Sequence, residues 1–249
     1  MTAPPIALAD ATAERTRFVL VRASHGGNVG ATARAMKVMG FSDLVLVQPR
    51  FDDVLSHSDT IAMASSATDV LARARIVDSL TEALHGIHHV CATAMTPRDF
   101  GPPTVAPREH FEALRRTTER VAFVFGSERF GMSNQDVYRC HVALSIPTDA
   151  RYGSLNLAQA AQLIAYEWRQ ALGGFAVEPR TVDAARADAP AVQGLLDHWQ
   201  AALVQLGYLD PAAPKKLMPR LQQVLNRAQL TQEEVHILRG IARAIQQRR

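Results

Sequence analysis

Three segments with chemically versatile side chains follow strand-like runs in the first two thirds of the 249-residue chain. The first, residues 24–30 (SHGGNVG), leads into a helical pattern that carries Arg34. The second, residues 125–131 (FGSERFG), carries the carboxylate of Glu128, and the third is residues 146–158 (IPTDARYGSLNLA). Ligands collect at the carboxyl ends of strands in open α/β sheets, and glycine-rich loops let a ligand approach the backbone closely. These segments therefore predict a ligand-binding site at the carboxyl edge of a β-sheet.

The polar side chains of these segments also have purely structural explanations. The helix around Arg34 is apolar almost all round, which implies burial and predicts that Arg34 lies in or beside a core. A buried guanidinium must be paired or face a polar ligand. An internal salt bridge to Glu128 would meet that need. Asn28 and Ser154 are natural N-caps for the helices that follow them. Asn156 lies in an apolar helical pattern, where its side chain needs a partner.

Several other chemistries lack a signature in this sequence. It has no G-x-G-x-x-G motif and no P-loop lysine, so dinucleotide and triphosphate binding are not indicated. It also has neither a G-x-S-x-G elbow nor a Cys/His pair for acyl transfer. His85, His88 and His89 lie close together, but no converging cysteine or carboxylate set is apparent, so we expect no metal site. Cys91 and Cys140 are expected to be small buried hydrophobic residues.

Composition and charge indicate a soluble protein with a basic tail. With 47% hydrophobic and 20% charged residues, the chain can form one large domain and a small appendage. No signal-peptide pattern or membrane span is recognised, which predicts a cytoplasmic location. The net charge is −3 over residues 1–213 but +6 over residues 214–249. Clustered lysine and arginine suggest an appendage that binds a polyanion, the alternative being a solvated basic helix face.

The order of local patterns predicts an α/β domain followed by helices. Runs such as RFVLVR, LVLVQP, HHVCAT, VAFVFG and VALSIP alternate with helical patterns, which indicates a parallel sheet of five or six strands. One long helical stretch is predicted over residues 59–75 (DTIAMASSATDVLARAR), and another from Leu155 to about Leu172. Thr231 is a candidate N-cap in the C-terminal helical region.

The same patterns predict four regions along the chain. They are a flexible N-terminal tail over residues 1–15, an α/β domain over 16–174, a linker over 175–189 and a helical extension over 190–249 that is basic toward its end.

Taken together, the motifs NVGATAR (28–34), FGSExxG (125–131) and IP (146–147) followed by SLNLA (154–158) resemble the three motifs of the SPOUT methyltransferases, in the TrmH-like branch. The resemblance covers about residues 17–172. Residues 207–241 look like the C-terminal extension of the TrmJ family of bacterial tRNA 2'-O-methyltransferases. The resemblance implies a Rossmann-like parallel sheet with a C-terminal trefoil knot, a rare exception to unknotted topology.

The resemblance also implies a cofactor, S-adenosylmethionine, bound largely through backbone groups. The residues that match the family's cofactor contacts are Thr93, Ala94, Met95, Gly126, Ile146, Gly153, Ser154 and Leu155. Position 153 is glycine where some relatives have serine, and the backbone contact stays available.

Methylation of a ribose 2'-hydroxyl in RNA is the implied reaction. It is an in-line displacement from a sulfonium that needs positioning and proton removal but no metal. A guanidinium, with a pKa above about 12, is a poor base near neutrality, so we expect Arg34 to orient the ribose, engage a phosphate or act electrostatically. Asn28, Glu128, Ser154 and Asn156 would hold Arg34 and the ribose in place. The family is dimeric, which implies a homodimer with Arg34 close to the partner subunit.

The implied substrate is tRNA, with nucleotide 32 of the anticodon loop as the leading target. Another tRNA position or ribosomal RNA is the first alternative, and a catalytically silent RNA-binding dimer is the second. The sequence does not distinguish cytidine from uridine at the target position.

Overall fold

A parallel β-sheet forms the centre of the first part of the chain. The computed structural model describes residues 11, 13–94, 96–177 and 185–247. Within them, seven strands are arranged in the order β3-β2-β1-β6-β4-β7-β5, and each neighbouring pair is parallel. The strands are β1 (Thr16–Val21), β2 (Asp43–Val47), β3 (Arg75–Val77), β4 (His89–Thr93), β5 (Thr104–Val105), β6 (Val121–Phe125) and β7 (Val142–Leu144). The predicted parallel sheet is confirmed, and the short β3 and β5 extend it.

The central strands are buried on both faces, which explains their continuous apolar sequence. Phe18 and Leu20 of β1 pack into one core cluster, whereas Val19 and Val21 pack into a second cluster on the other face. The ring of Phe18 stacks on that of Phe125 with centroids 5.9 Å apart. Side-chain alternation along the strand thus supplies both helical layers with a core.

The helices of this part cover the sheet. They are α1 (Gly26–Val38), α2 (Ser58–Ala64), α3 (Thr68–Arg73), α4 (Leu80–Ala83), α5 (Pro107–Leu114), α6 (Asn134–Val137) and α7 (Leu157–Ala171). The single long helix predicted over residues 59–75 is wrong, because α2 and α3 are separate. Ser65 follows α2 with φ 53°, a value outside the right-handed helical region, so the chain cannot continue the helix there.

Helices α1 and α2 approach each other at the backbone. A Cβ atom on Gly30 would overlap the carbonyl oxygen of Thr60, and one on Gly26 would meet the hydroxyl of the same threonine. The Thr60 hydroxyl is itself buried and donates a 2.6 Å hydrogen bond to the carbonyl of Val54. Glycine is therefore required at position 30 for this close contact.

The chain divides into two compact units, Met1–Ala176 and Val177–Arg249. The second contains α8 (Ala189–Gln205), α9 (Leu217–Ala228) and α10 (Gln232–Gln247), with a small core around Leu195, Leu230 and Val235. Thr231 caps α10 as predicted, since its hydroxyl accepts from the Glu234 main chain at 3.3 Å and its own N–H donates to the Glu234 carboxylate at 2.7 Å.

Parts of the predicted linker and N-terminal tail lie outside the described residues. Of the predicted tail, Ala13 is buried in the core of the first unit. In the described ranges, no helix has both the length and the apolar character needed to cross a membrane.

Candidate active site

The carboxylate of Glu128 is the centre of a hydrogen-bond network that joins the first two motif segments. Its Oε2 accepts from the main-chain N–H of Ser24 at 2.9 Å and from the Ser24 hydroxyl at 2.7 Å. Its Oε1 accepts from the side-chain amide of Asn28 at 2.9 Å and from the main-chain N–H of His25 at 3.3 Å. Four donors from one short stretch of chain therefore hold the loop after β6 against the start of α1.

The environment of Glu128 keeps its side chain ionised. Burial acts to raise the pKa of this carboxyl, but the hydrogen bonds from Asn28 and Ser24 outweigh it and hold the pKa below its ordinary value. The side chain is only 13% exposed. It is thus a charged group that only accepts hydrogen bonds at neutral pH.

Asn156 adds the third segment to the network. Its side-chain amide donates to the side-chain oxygen of Asn28 at 2.9 Å, while its own oxygen accepts from the N–H groups of Ala158 and Gln159. The Gln159 side chain accepts in return from the main chain of Asn156, which completes a capping box. The expectation that Ser154 caps this helix is therefore wrong, because Asn156 does so.

Asn28 is not an N-cap either. Helix α1 begins at Gly26, so Asn28 lies inside its first turn, and the N-cap position is His25, whose side chain makes no capping hydrogen bond to the helix. The Asn28 amide is consequently free to bridge Glu128 and Asn156, with its nitrogen bound to one and its oxygen to the other.

A cavity of about 350 Å³ opens at the carboxyl ends of the strands next to this network. The ends of β4, β6 and β7 and the segment before α7 line it, together with Glu128. The predicted cofactor contacts that the structure brings together there are Thr93, Ala94, Gly126, Ile146, Gly153, Ser154 and Leu155. The eighth, Met95, lies outside the described residues. The volume lies in the range of small-molecule sites, about 300–1,000 Å³.

A glycine-flanked turn forms the wall of the cavity that carries Glu128. Ser127 and Gly131 exchange two main-chain hydrogen bonds of 3.1 and 2.8 Å, and Gly131 has φ 64°. A Cβ on Gly126 would overlap the backbone of Gly131 and Met132. The two glycines thus permit the tight turn that aims Glu128 at α1.

Arg34 departs from its expected environment. It is exposed on the surface of the chain, and within the described residues its side chain makes neither a hydrogen bond nor an ion pair, so both the expected burial and the salt bridge to Glu128 are wrong. Helix α1 buries the face that contains Val29, Ala33 and Met36. Arg34 and Val38 lie on the open face, where Val38 is 57% exposed despite its apolar side chain.

Some functional candidates were missed in the sequence. Ser24 and His25 belong to the first motif segment, but they were not singled out, although both contact Glu128. Their position directly after β1 was the available signal, because it places them at the carboxyl edge of the sheet. Arg98 and Phe130 also line the cavity without a recognisable pattern.

A histidine and cysteine cluster lies at the opposite end of β4. His110 of α5 approaches His89 with a 3.0 Å distance between their Nε2 atoms, and the Cys91 sulfur lies 3.9 Å from His110 Nε2. The expectation that no cysteine converges with the histidines is therefore wrong, although His85 and His88 are not part of the group.

The geometry of this cluster is accounted for without an ion. Burial, with the neighbouring His110 and His141, lowers the pKa of His89 to about 4, so the two imidazoles are neutral and one donates to the other. Burial raises the pKa of the Cys91 thiol, which favours its protonated form.

Comparison with known proteins matches both units. Residues 15–166 match the SpoU rRNA methylase family, and residues 190–249 match the C-terminal domain of the tRNA methyltransferase TrmJ. The chain is 40% identical over 244 residues to tRNA (cytidine/uridine/adenosine-2'-O-)-methyltransferase TrmJ of Pseudomonas aeruginosa, covering 92% of each chain.

Two further matches extend over nearly the whole length. The tRNA (cytidine/uridine-2'-O-)-methyltransferase TrmJ of Photorhabdus laumondii is 40% identical over 237 residues, which cover 94% of this chain and 97% of that protein. The crystal structure of TrmJ from Z. mobilis ZM4 superposes with a TM-score of 0.79 at 29% identity, covering 93% of this chain and 99% of that one. The predicted fold class is thereby confirmed, and its trefoil knot is implied by the family. With its SpoU domain followed by a TrmJ C-terminal domain, the chain belongs to the SpoU methylase family, in the TrmJ group.

Proposed function

We propose that this protein methylates the ribose 2'-hydroxyl of nucleotide 32 in the anticodon loop of tRNA. As a SpoU family member it is an RNA methyltransferase that uses S-adenosylmethionine. Relatives at 40% identity are tRNA 2'-O-methyltransferases by name. The observation that carries the proposal is the convergence of Asn28, Glu128 and Asn156 beside one cavity at the carboxyl edge of the sheet.

The cavity fits the adenosyl and methionyl parts of the cofactor. Leu144, Ile146 and Leu155 offer apolar contacts, and the glycines at 126 and 153 leave main-chain groups accessible to a ligand. Thr93 and Ser154 add hydroxyl groups to the lining, and Ala94 adds main-chain groups. When bound, the cofactor supplies an electrophilic methyl group on a sulfonium.

The side chains of the three motif segments then position the ribose whose 2'-hydroxyl accepts the methyl group. The Glu128 network fixes the amides of Asn28 and Asn156, and Ser154 offers a hydroxyl at the exposed rim of the cavity. Arg34 keeps its charge and has no partner among the described residues, so it is available to bind a phosphate and orient the ribose. This arrangement supplies orientation, which accounts for much of the barrier reduction in such a displacement.

The exposed apolar residues of the first unit support a homodimer. Val38 of α1 is 57% exposed, and Ile61 and Met63 of α2 are 47% and 51% exposed. Exposed apolar side chains on α1, the helix that carries Arg34, and on the neighbouring α2 fit an interface that brings Arg34 near a second subunit. Sedimentation at micromolar concentration should report a dimer, and a monomer alone would contradict this part of the proposal.

The basic residues of the second unit support an RNA substrate. Their side chains are exposed and form no ion pair within the part of the chain that the structure describes; they are Lys215, Lys216, Arg220, Arg227, Arg239 and Arg243. Unpaired cations of this kind are available to phosphates. A tRNA substrate also agrees with the cytoplasmic location expected from the sequence.

The test uses two versions of a tRNA substrate, one all-ribose and one with a single 2'-deoxynucleotide at position 32, with ribosomal RNA as a third substrate. We expect methyl transfer from labelled S-adenosylmethionine to the first and none to the second. Transfer to both would move the target to another tRNA position, and transfer to ribosomal RNA alone would reassign the substrate. A protein that binds cofactor and tRNA but transfers no methyl group would instead be the catalytically silent RNA-binding protein.

A further inference from the structure

We propose that His25 accepts the proton of the ribose 2'-hydroxyl, held for that role by Ser24 and Glu128. This inference rests on the proposed function and names a group for the one step that Arg34 cannot perform, since a guanidinium has no lone pair to offer. His25 lies directly before α1, and its side chain is 70% exposed, whereas that of Glu128 is 13% exposed. The ring is thus open to a substrate while its support is shielded.

The donor count assigns the tautomer of the ring. The Ser24 hydroxyl lies 2.7 Å from Glu128 Oε2 and 2.9 Å from His25 Nδ1. An ionised carboxylate only accepts, so the one hydroxyl proton of Ser24 must point at Glu128. Ser24 can then only accept from the ring, which puts the other proton on Nδ1. The lone pair of a neutral His25 is therefore on Nε2, the nitrogen that points away from Ser24.

The position of His25 is set by the same carboxylate that holds Asn28. Its main-chain N–H donates to Glu128 Oε1 at 3.3 Å, and its Nδ1 lies 3.8 Å from that oxygen. Asn28 donates to the same Oε1 at 2.9 Å. Of the described titratable groups, Glu128 faces the ring from the loop after β6, and His57, which precedes α2, approaches at Gly26.

The step balances in atoms and charge. The ribose oxygen forms the new C–O bond as the S–C bond breaks, and its proton passes to His25 Nε2. One positive charge leaves as the sulfonium becomes a neutral thioether, and one appears as the ring becomes an imidazolium. Glu128 lies close enough to stabilise that imidazolium, as a carboxylate does for a catalytic histidine.

The test compares His25→Asn with His57→Asn. An asparagine at position 25 can place an amide N–H where Nδ1 donates to Ser24, but it has no base in the position of Nε2. His57 is a matched control, since it also precedes a helix, and its Nδ1 accepts from Asp59 at 3.3 Å. Methyl transfer to tRNA is measured in single turnover with saturating cofactor between about pH 5 and 9, which contains the range of about pH 5 to 8 in which imidazoles ordinarily titrate.

We expect the wild type and His57→Asn to lose rate at acid pH, because a general base must be unprotonated to accept the proton of the hydroxyl. His25→Asn should be slower by about a hundredfold or more and lack that acid limb, with cofactor affinity unchanged by calorimetry. A His25→Asn variant with the parental rate, or a slow one that keeps the acid limb, would overturn the role of His25 while leaving the methyltransferase assignment intact. A wild type that methylates no RNA would instead overturn the proposed function, and the role of His25 with it.

Discussion

The side-chain amide of Asn156 donates a 2.9 Å hydrogen bond to the side-chain oxygen of Asn28, across 128 positions of sequence. Asn156 caps α7, and Asn28 lies in the first turn of α1, so the bond ties together the N-terminal ends of two helices. Because Asn28 also donates to Glu128, all three motif segments depend on this pair of amides.

Replacing Asn156 by aspartate should separate its two roles. An aspartate keeps the oxygen that caps α7 but loses the N–H that Asn28 accepts, and it places a carboxylate against the Asn28 oxygen. We expect at least a tenfold loss of methyl transfer with little change in thermal stability. Asn156→Ala, which also loses the cap, should cost about 1 kcal/mol of stability in addition. Parental activity in Asn156→Asp would show that the link between the amides is dispensable.

Replacing Arg34 by alanine should abolish turnover but keep cofactor affinity within about tenfold, since the loss is in positioning the acceptor. Arg34 is exposed, so the free energy of unfolding should change by no more than about 0.5 kcal/mol. Single-turnover rates measure the loss of methyl transfer, and calorimetry measures the cofactor affinity. Arg34→Lys keeps the charge but not the planar fork, and should recover only part of the rate. A fully active Arg34→Ala would refute the assigned role.

Gly126→Ala should damage the cavity. The added Cβ would overlap the backbone of Gly131 and Met132, so the turn that carries Glu128 must shift. We expect lower thermal stability and a loss of S-adenosylmethionine binding of tenfold or more. The control is Gly240→Ala on α10, where a Cβ meets no atom within 4 Å, and alanine should stabilise the helix by about 0.5–1 kcal/mol. Normal cofactor binding by Gly126→Ala would contradict the expected close packing.

Glu128 should stabilise the fold in a pH-dependent way. Its pKa is lower in the folded chain than the ordinary value of 4.5, so its contribution is fully present above pH 4.5 and is lost as the pH falls through the folded value. In Glu128→Gln, an amide N–H would face donors, which should cost about 1–3 kcal/mol near pH 7. Urea unfolding at several pH values should show that the difference in free energy of unfolding between the wild type and the variant becomes smaller below pH 4.5. A difference independent of pH would argue against an ionised Glu128.

Charge reversal of Lys215 and Lys216 tests the basic tail. If both contact phosphates, the double glutamate variant should bind tRNA more weakly, with a salt dependence whose log-log slope is smaller by about 0.7–0.9 per lost contact. Cofactor binding should not change. Reversal of Arg115 and Arg116, an exposed basic pair in the first unit, is the control for net charge alone. Equal effects of the two reversals would leave the tail without a specific role in RNA binding.

The strands were predictable because of their burial. Phe18, Val19, Leu20 and Val21 alternate between two cores, so the last four positions of β1 are all apolar, and a run of this kind is readable without a structure. The ends of the helices were not predictable from the sequence. Ser154 and Asn156 are both good caps two residues apart, and the choice depends on a contact to Asn28 that lies far away in the sequence.

The environment of Arg34 was unpredictable for a related reason. Apolar residues surround it on α1, but periodicity reports only that a side chain is apolar and not which neighbour covers it. Val38, one turn later, is 57% exposed in the single chain, so the apolar pattern did not indicate a core on that side. The Glu128 network was predictable only as a set of residues at one sheet edge, since hydrogen-bond partners depend on distances that no pattern encodes.

The position of Arg34 depends on a residue with no side chain. Gly30 lies four residues before Arg34 on α1, and its backbone lies directly against the carbonyl of Thr60 on α2. The two helices are therefore as close as their backbones allow, with no side chain between them at this point. Any larger residue would push the two helices apart and move the Arg34 guanidinium away from the RNA phosphate and ribose that it is proposed to bind. Variation at this glycine, which contacts neither cofactor nor RNA in the proposed arrangement, would thus silence the enzyme by misalignment alone.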